Sequence, residues 1–162
     1  MLIRPLSAAD LPAVAAIQAS CYPPELLEQA ECFAAKIAFS PASHWLAERD
    51  GEALGYLFCH PWQGWHPPDL DSRQLYWPQP QAAADCFYLH DLAVAPSARG
   101  LGVAEQLIDT ALSWARAQQL PRAMLIAVGR APAFWQRHGF VAERNGADLR
   151  KYGASELMSR TL

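Results

Sequence analysis

The stretch that decides the fold is Val94–Ala104, which reads VAPSARGLGVA. The apolar run Phe87–Val94 leads into it as a predicted strand, and an amphipathic helix follows it. Gly100 and Gly102 allow positive backbone φ angles and a close approach of the main chain to a ligand. The unpaired N–H groups at the start of a helix, together with the helix dipole, attract anions. The stretch therefore predicts a site for a phosphate-bearing ligand.

Length and composition bound the class of protein. The chain has 162 residues, which suits one domain spanning residues 1–162 with its own core. With 52% hydrophobic and 18% charged residues, it is globular rather than disordered. The net charge of −3 argues against a nucleic-acid partner. No apolar run reaches membrane-spanning length, and the first residues, MLIRPLSAADL, lack the apolar segment of a signal peptide. We therefore expect a cytoplasmic protein with no membrane partner, for which a homodimer is one possible assembly.

The cysteines give no sign of a disulfide framework or a metal site. Cys21, Cys32, Cys59 and Cys86 form no C-x-x-C pair, and no histidine stands at zinc-ligand spacing from them. We expect reduced cysteines, most of them packed in the core, and no bound metal.

The first half of the chain predicts two helices and a hairpin. Apolar residues at helical spacing favour helices over about Ala9–Cys21 and Glu25–Phe39. The segments His44–Arg49 and Ala53–His60 resemble two strands joined at Asp50-Gly51, a pair typical of tight hairpin turns.

The second half contains a long loop and then a strand–helix alternation. Pro61–Asp85 holds five of the thirteen prolines and three of the six tryptophans, so a loop with a function is expected there. The predicted elements beyond it are the strand Phe87–Val94, a helix to about Gln118, the strand Ala123–Val128, the short helix Pro132–His138, and a terminal hairpin of Phe140–Arg144 and Glu156–Leu162 around the polar loop Asn145–Gly153. This order implies a parallel crossover through the Gly102 helix inside a mostly antiparallel sheet.

The glycine-rich turn differs from the common phosphate-binding motifs. Arg99-x-x-Gly102-x-Ala104 has no Gly-Lys-Ser/Thr, so it is not a P-loop, and no acidic residue ends a following strand to hold a ribose. Taken alone, the pattern also fits a glycine that only allows tight packing of helix on strand. Phe134-Trp135-x-x-x-Gly139-Phe140 follows it, and the chain closes on Leu157–Leu162. With these additions, nearly the whole chain resembles the GCN5-related N-acetyltransferase (GNAT) superfamily.

The resemblance implies a fold and a cofactor. It implies an α/β (α+β) fold with a mixed, mostly antiparallel sheet of about seven strands and about four helices. Acetyl-CoA is the implied cofactor, with its pantetheine arm along the main chain of the strand end and its pyrophosphate on the turn amides. The implied cofactor-binding residues are Leu92, Ala93 and Val94 on the strand and Arg99, Gly100, Leu101, Gly102, Val103, Ala104 and Glu105 on the turn. Arg99 either adds charge or fixes the turn, and a strand amide at or beside Val94 would meet the oxyanion.

The strand before the turn carries the candidate base. From the residues alone, His90 is most simply a hydrogen-bonded strand histidine. However, Tyr88–Val94 is similar to the matching strand of arylalkylamine N-acetyltransferases, in which histidines stand in the places of Tyr88 and His90 and relay the amine proton through water. The resemblance therefore implies that His90 is a general base. At period two Tyr88 shares its face, whereas Asp91 faces the other way unless a bulge intervenes.

The residue expected to assist the departing thiolate differs from the family pattern. Trp135 stands where most relatives have a tyrosine that assists the departing thiolate, and indole offers only an N–H donor. One outcome is that catalysis survives, with an N–H group, water, Tyr88 or Tyr152 solvating the thiolate. The other is an inactive site. We take Trp135 and Tyr88 together with His90 as the candidate catalytic residues.

We expect the early helices and the long loop to form the acceptor pocket. Tyr22, Trp62, Trp65 and Trp77, with Asp69 and Asp71, suit a cationic amine, although the same tryptophans would also serve to pack the loop onto the body. The first hypothesis is an acetyl-CoA-dependent N-acetyltransferase for a small aryl-alkyl amine or polyamine. The alternatives are an enzyme that acetylates proteins or peptides and a non-catalytic acyl-CoA-binding module.

Overall fold

The elements follow the predicted strand–helix order. The structure, a computed structural model, describes residues 1–144, 149, 153 and 155–162. The strands are β1 (Leu2–Pro5), β2 (Trp45–Arg49), β3 (Glu52–Trp62), β4 (Cys86–Val94), β5 (Arg122–Val128), β6 (Val141–Ala142) and β7 (Ser155–Thr161). The helices are α1 (Leu11–Cys21), α2 (Ala30–Phe39), α3 (Val103–Ala117) and α4 (Ala131–Arg137). Short 3-10 turns lie at Ala8–Asp10, Pro24–Leu26 and Pro96–Ala98. No helix in the described ranges is long and apolar enough to cross a bilayer.

The seven strands form one sheet in the order β1-β2-β3-β4-β5-β7-β6. Among the pairs of described strands, β4 and β5 are parallel and the others are antiparallel. The connection from β4 to β5 runs through α3, as a parallel pair requires. The expected mixed, mostly antiparallel fold with four helices is confirmed.

The helices cover both faces of the sheet. The apolar stripe of α3, which includes Leu107, Ala111 and Ala115, packs with Leu57 and Leu125 in the larger core. On the opposite face, Val14 and Ile17 of α1 and Phe33 of α2 pack against Tyr56 and Phe58 of β3. Helices α1 and α2 therefore cover one face of the sheet, and α3 covers the other.

Strands β4 and β5 separate part of the way along their length. They pair at Phe87 with Ala123, Tyr88 with Met124 and Leu89 with Leu125. Both strands continue beyond these pairs, β4 to Val94 and β5 to Val128. The divergence leaves an opening in the middle of the sheet, bordered by the second halves of both strands.

One predicted helix is wrong in its first third. The segment Glu25–Phe39 was expected to be continuous, but Pro24–Leu26 is a 3-10 turn, Leu27 and Gln29 are extended, and α2 begins at Ala30. The cause lies in α1: Gln18 donates from Nε2 to the Glu28 carbonyl at 2.8 Å and accepts the Glu28 N–H at 3.1 Å. A side chain satisfies both main-chain groups, so the segment has no need of helical bonds.

The remaining predictions differ mainly at element ends. The Asp50-Gly51 turn is confirmed, with φ angles of +53° and +80°, as a type I′ hairpin turn requires. Strand β3 continues through Trp62, two residues beyond the predicted end, and residues 63–85 contain no helix or strand. The terminal hairpin is confirmed, but β6 is only Val141–Ala142, and Phe140 before it is buried in the core. Most of the predicted polar loop, Tyr152 included, lies outside the described residues. All four cysteines are free thiols, and Cys32, Cys59 and Cys86 are buried.

A glycine on β3 is required by packing rather than by a turn. A Cβ on Gly55 would lie 2.8 Å from the Ala93 carbonyl oxygen and 3.0 Å from Cγ1 of Val103. We expect Gly55→Ala to lower the free energy of unfolding by about 1–3 kcal/mol, measured by urea denaturation. The control is Gly51→Asn, because asparagine tolerates positive φ and the turn has free space. Equal stability of the Gly55→Ala variant and the parent would contradict this packing.

Candidate active site

A β-bulge on β4 turns two polar side chains to the same face. Phe58 of β3 pairs with Asp91, whereas the next residue, Cys59, pairs with Leu89, so His90 is the extra residue. In regular pleating His90 and Asp91 would face opposite sides of the sheet. Here both contact residues from the α1 and α2 side. The bulge lies at the point where β4 leaves β5, and both side chains line the resulting cleft of about 760 Å³.

Glu28 holds the imidazole of His90. The Nε2 atom of His90 lies 2.9 Å and 3.0 Å from the two carboxylate oxygens of Glu28. Burial alone would raise the pKa of Glu28, but the hydrogen bond and charge of His90, with the charge of Lys36, lower it to about 2. An ionised carboxylate accepts hydrogen bonds only, so Nε2 carries the hydrogen. The other ring nitrogen of His90, Nδ1, has no hydrogen-bond partner among the described residues.

Asp91 belongs to a second polar group beside the first. Its carboxylate accepts hydrogen bonds from the Tyr56 hydroxyl at 2.8 Å and the Tyr22 hydroxyl at 3.1 Å. Burial raises the pKa of Asp91 above its ordinary value, although the charge of His90 and the two hydroxyls act in the opposite sense. Burial and the neighbouring Asp91 also raise the pKa of both phenols, so they stay protonated and act as donors. Tyr22, one of the predicted acceptor residues, lines the cleft.

The second half of β4 presents main-chain groups to the cleft. Ala95 donates its N–H to the Leu54 carbonyl at 2.8 Å, across from β3. Main-chain groups of successive residues point alternately toward and away from an antiparallel partner, so those of Val94 and Leu92 face away from β3. The Tyr22 hydroxyl lies 3.2 Å from the Leu92 carbonyl oxygen, and Cys21 Sγ lies 3.3 Å from that of Val94. The N–H groups of Leu92 and Val94 point to the side that β5 has left.

The turn and the start of α3 have the expected backbone. Gly100 and Gly102 have φ angles of +79° and +75°, and a Cβ at either would meet nothing within 4 Å. Gly102 is the N-cap of α3, so the N–H groups of Val103, Ala104 and Glu105 lie in the first turn without helical partners. Ala104 also lines the cleft. Arg99 follows a 3-10 turn at Pro96–Ala98, with Nη2 4.0 Å from Cys21 Sγ, and Leu101 is exposed.

Of the two remaining candidate catalytic residues, only Trp135 lines the cleft. Trp135 is 8% exposed and packs against Phe134 and Phe140. Tyr88 is 2% exposed and lies between the rings of His60 and His90, with centroids 5.7 Å and 6.0 Å away. The structure therefore places Tyr88 under the site, where it supports the His90 ring, rather than in the cleft.

The predicted tryptophans pack the long loop onto the sheet. Trp62 stacks on Trp77 with centroids 5.9 Å apart, and Trp77 lines a separate cavity of about 680 Å³ beside α2. Trp65 lies under the guanidinium of Arg122, whose Cζ is 3.6 Å from the ring centroid. None of these three tryptophans lines the cleft that holds His90. The loop residues that do are Leu70 and Asp71.

Arg122 also fastens the two ends of this loop. Its Nη2 atom donates to the Gly64 carbonyl at 2.7 Å and to the Asp85 carboxylate at 3.0 Å. The same carboxylate accepts the Gly64 N–H at 2.9 Å, and the Asp85 N–H donates to the Trp62 carbonyl at 3.0 Å. The loop therefore leaves and rejoins the sheet at one place.

Sequence reasoning missed Glu28, Lys36 and the role of Gln18. Glu28 was assigned to a helix, where its side chain had no special direction. Gln18 lies on the buried side of α1 and is only 5% exposed. A polar residue on the buried stripe of a helix needs a hydrogen-bond partner inside, so Gln18 was the available signal that the segment after Pro24 is held against α1.

Comparison with known proteins gives the family. The model of the Acetyltransferase (GNAT) family matches residues 11–140. The chain therefore belongs to the GNAT acetyltransferase family, and acetyl-CoA is its cosubstrate. No curated protein matches the sequence significantly.

Solved structures confirm the fold at low sequence identity. Ribosomal-protein-alanine N-acetyltransferase from Brucella melitensis is 22% identical, with a TM-score of 0.71 and 100% of both chains covered. PaiA N-acetyltransferase from Thermoplasma acidophilum, in complex with coenzyme A, is 15% identical, with a TM-score of 0.69 over 99% of this chain and 98% of that one. Naa20 from Chaetomium thermophilum, in complex with a bisubstrate analogue, is 18% identical, with a TM-score of 0.74 over 100% of this chain and 87% of that one.

The low pKa of Glu28 makes stability depend on pH. Folding lowers this pKa from 4.5 to about 2, so the contribution of Glu28 is complete above pH 4.5 and is lost as the pH falls toward 2. We expect Glu28→Gln to be less stable than the parent near neutral pH, with the difference shrinking between pH 4.5 and 2. Urea denaturation over this range measures it. Gln29→Ala, which removes no charge, should differ from the parent by the same amount at every pH. A difference for Glu28→Gln that stayed constant with pH would refute the assignment.

Proposed function

We propose that the protein transfers the acetyl group of acetyl-CoA to the primary amine of a small cationic acceptor. The observation that carries the proposal is the His90–Glu28 pair. Glu28 contacts Nε2 of this cleft histidine, and Nδ1 has no partner among the described residues, beside the point where β4 and β5 diverge. This arrangement is a general base of defined tautomer, held by a carboxylate, in the place where the acceptor and the donor would meet.

Residues on β4 and α3 fit the donor. The outward N–H and C=O groups of Leu92 and Val94 offer the pairing edge that a pantetheine arm with two amides would use. The positive φ angles of Gly100 and Gly102 expose the N–H groups at the start of α3 to a diphosphate. Val103, Ala104 and Glu105 would contribute main-chain amides there, whereas the Leu101 N–H donates to the Ala98 carbonyl at 3.4 Å. Ala93 pairs with Tyr56 of β3, so its main-chain groups face β3. Ala93 therefore supports this edge through its side chain and does not offer its amide to the donor.

Once bound, acetyl-CoA supplies an acyl group already activated as a thioester. A primary amine is mostly protonated at neutral pH, so His90 Nδ1 must accept a proton, directly or through water, before the amine attacks. The N–H of Leu92 or Val94 is placed to donate to the developing oxyanion. Trp135 lines the cleft and offers an indole N–H, which solvates a thiolate but does not protonate it.

The charge of the cleft supports a cationic acceptor. Four carboxylates line it, those of Glu25, Glu28, Asp71 and Asp91, whereas no lysine or arginine does among the described lining residues. Leu26 and Leu70 line the same cleft and are exposed, so they can meet the apolar body of a ligand. An amine joined to an apolar group or chain matches this combination of carboxylates and leucines.

An enzyme that acetylates protein N-termini is the second candidate. It is favoured by the structural likeness to a ribosomal-protein-alanine N-acetyltransferase and to Naa20. The contribution of Leu70 and Asp71 from the long loop favours the small acceptor, because these residues cover part of the cleft that a peptide would cross.

A charge at the start of α3 tests the donor site. We expect Ala104→Glu to weaken CoA binding by about 10- to 100-fold, because a carboxylate beside the diphosphate repels it. The same carboxylate favours the positive end of the helix, so the melting temperature should not fall. Isothermal titration calorimetry and thermal melting measure the two effects. Ser113→Glu, which places the same charge on the exposed face of α3, is the matched control. Unchanged CoA affinity in Ala104→Glu would contradict the site.

A panel of acceptors tests the activity. Arylalkylamines, polyamines and peptides with free N-termini are incubated with acetyl-CoA, and free thiol and product mass are measured. We expect acetylation of a small amine, and a loss of about 10²- to 10⁴-fold in kcat/KM on His90→Gln at neutral pH, as removal of a general base gives. CoA binding should be unchanged in that variant. Turnover of peptides alone would favour the second candidate. Tight CoA binding with no acceptor turned over would favour a non-catalytic acyl-CoA-binding module.

A further inference from the structure

Lys36 of α2 is a buried cation with an ionic partner. The residue is 2% exposed, and its Nζ atom lies 3.3 Å from Oε1 of Glu28. It does not line the cleft, so it does not meet a ligand there. The only route from Lys36 to the reacting groups is therefore through the Glu28 carboxylate, which in turn holds His90.

The backbone of Lys36 is fixed from the opposite side. The Nε2 atom of His44 lies 2.8 Å from the Lys36 carbonyl oxygen, and Nδ1 of His44 accepts the Cys59 N–H at 3.2 Å. Burial lowers the pKa of His44 to about 4, so this histidine is neutral at physiological pH and acts as a fixed link. Hydrogen bonds and ion pairs therefore run continuously from β3 through His44, Lys36 and Glu28 to His90 on β4.

A lysine in this position has a cost that an apolar residue would avoid. Lys36 lies on the buried face of α2 beside Cys32 and Phe33, in contact with the sheet. Buried lysines are rare unless they are paired, and apolar replacements of buried ion pairs are often neutral or stabilising. Fold stability alone does not account for the charge, so a role in the adjoining site does.

We propose that Lys36 is a positioning residue that acts through Glu28 to set the protonation equilibrium of His90. The Glu28 carboxylate favours the protonated imidazolium, and the Lys36 ammonium offsets part of that attraction. His90 therefore stays unprotonated over a wider range of pH than it would beside an unopposed carboxylate. The catalytic consequence rests on the proposed function, whereas the electrostatic effect is present in the protein without substrates.

Other charged and titratable groups also face His90. They are Asp91 and Tyr88 on β4, Tyr22 directly after α1, Tyr56 and His60 on β3, and His44 before β2. Asp91 acts in the same direction as Glu28, while the buried histidines are neutral and the phenols are protonated near neutral pH. Glu28 and Lys36 can therefore be varied against a constant background.

The test is the titration of His90 in the substrate-free protein, followed by NMR of its imidazole signals and assigned with His90→Gln. We expect Lys36→Met to raise the pKa of His90 and Glu28→Gln to lower it, each by about 0.5–1 unit. Lys36→Arg keeps the charge and should restore the parent value. Arg116→Met removes a positive charge from the exposed face of α3 and should leave His90 unchanged.

The same variants give a kinetic readout. The acidic limb of the pH profile of kcat/KM should move up in Lys36→Met and return in Lys36→Arg, while the value at high pH changes little. If Lys36→Met does not fold, Lys36→Gln replaces it. Shifts of His90 in the same direction for Lys36→Met and Glu28→Gln, or no shift in Lys36→Met, would overturn the inference. If the pKa of His90 shifts in opposite directions in Lys36→Met and Glu28→Gln but no acceptor is turned over, the effect of Lys36 on His90 is supported. Only the proposed function is then contradicted.

Discussion

The site depends on one extra residue in β4. Without the bulge at His90, Asp91 would face α3 and the two polar groups would lie on opposite sides of the sheet. The pairing of β4 with β5 ends at Leu89, one residue before the bulge. A single irregularity therefore accompanies both the opening of the cleft and the gathering of polar side chains at its wall. It also shifts the alternation of the strand, so that the main-chain groups of Leu92 and Val94 face the opening.

Two polar systems with different tasks meet at this bulge. The ion pair of Glu28 and Lys36 and the neutral His44 beyond it form a polar chain that leads away from His90 into the interior. Asp91 receives only phenol hydroxyls, so its negative charge has no lysine or arginine partner among the described residues. A buried carboxylate of this kind is stabilised when a cation binds beside it. Under the proposed function, the first system would serve proton transfer and the second would attract the ammonium group of the acceptor.

The backbone of the proposed donor site was predictable from sequence, whereas the residues that line the proposed acceptor site were mostly not. Gly100, Gly102 and the apolar run before them are local signals, because positive φ and a helix start are properties of a few consecutive residues. The parallel pairing of β4 with β5 followed from the predicted crossover through α3. Glu28 was missed because its conformation is set by Gln18, ten residues earlier, and no local pattern reports that bond. The sequence admitted a bulge at His90 only as an exception to the regular alternation of side chains, because a bulge depends on the pairing register with β3. The tryptophans of the loop suggested an acceptor pocket, but in the structure they pack the loop onto the sheet.

Hydrogen bonds among Arg122, Gly64 and Asp85 join the two ends of the long loop, so the loop can be exchanged as a unit. Because its two ends are tied to each other and to the sheet, the residues between them can change in number or identity while the strands keep their register. Loop-closure entropy rises only slowly with length, so such exchanges have little effect on stability. Leu70 and Asp71 are carried on this exchangeable segment, whereas His90 and the α3 turn are carried on the sheet. Under the proposed function, a change in this loop would therefore alter the choice of acceptor and leave the binding site for the acyl donor intact.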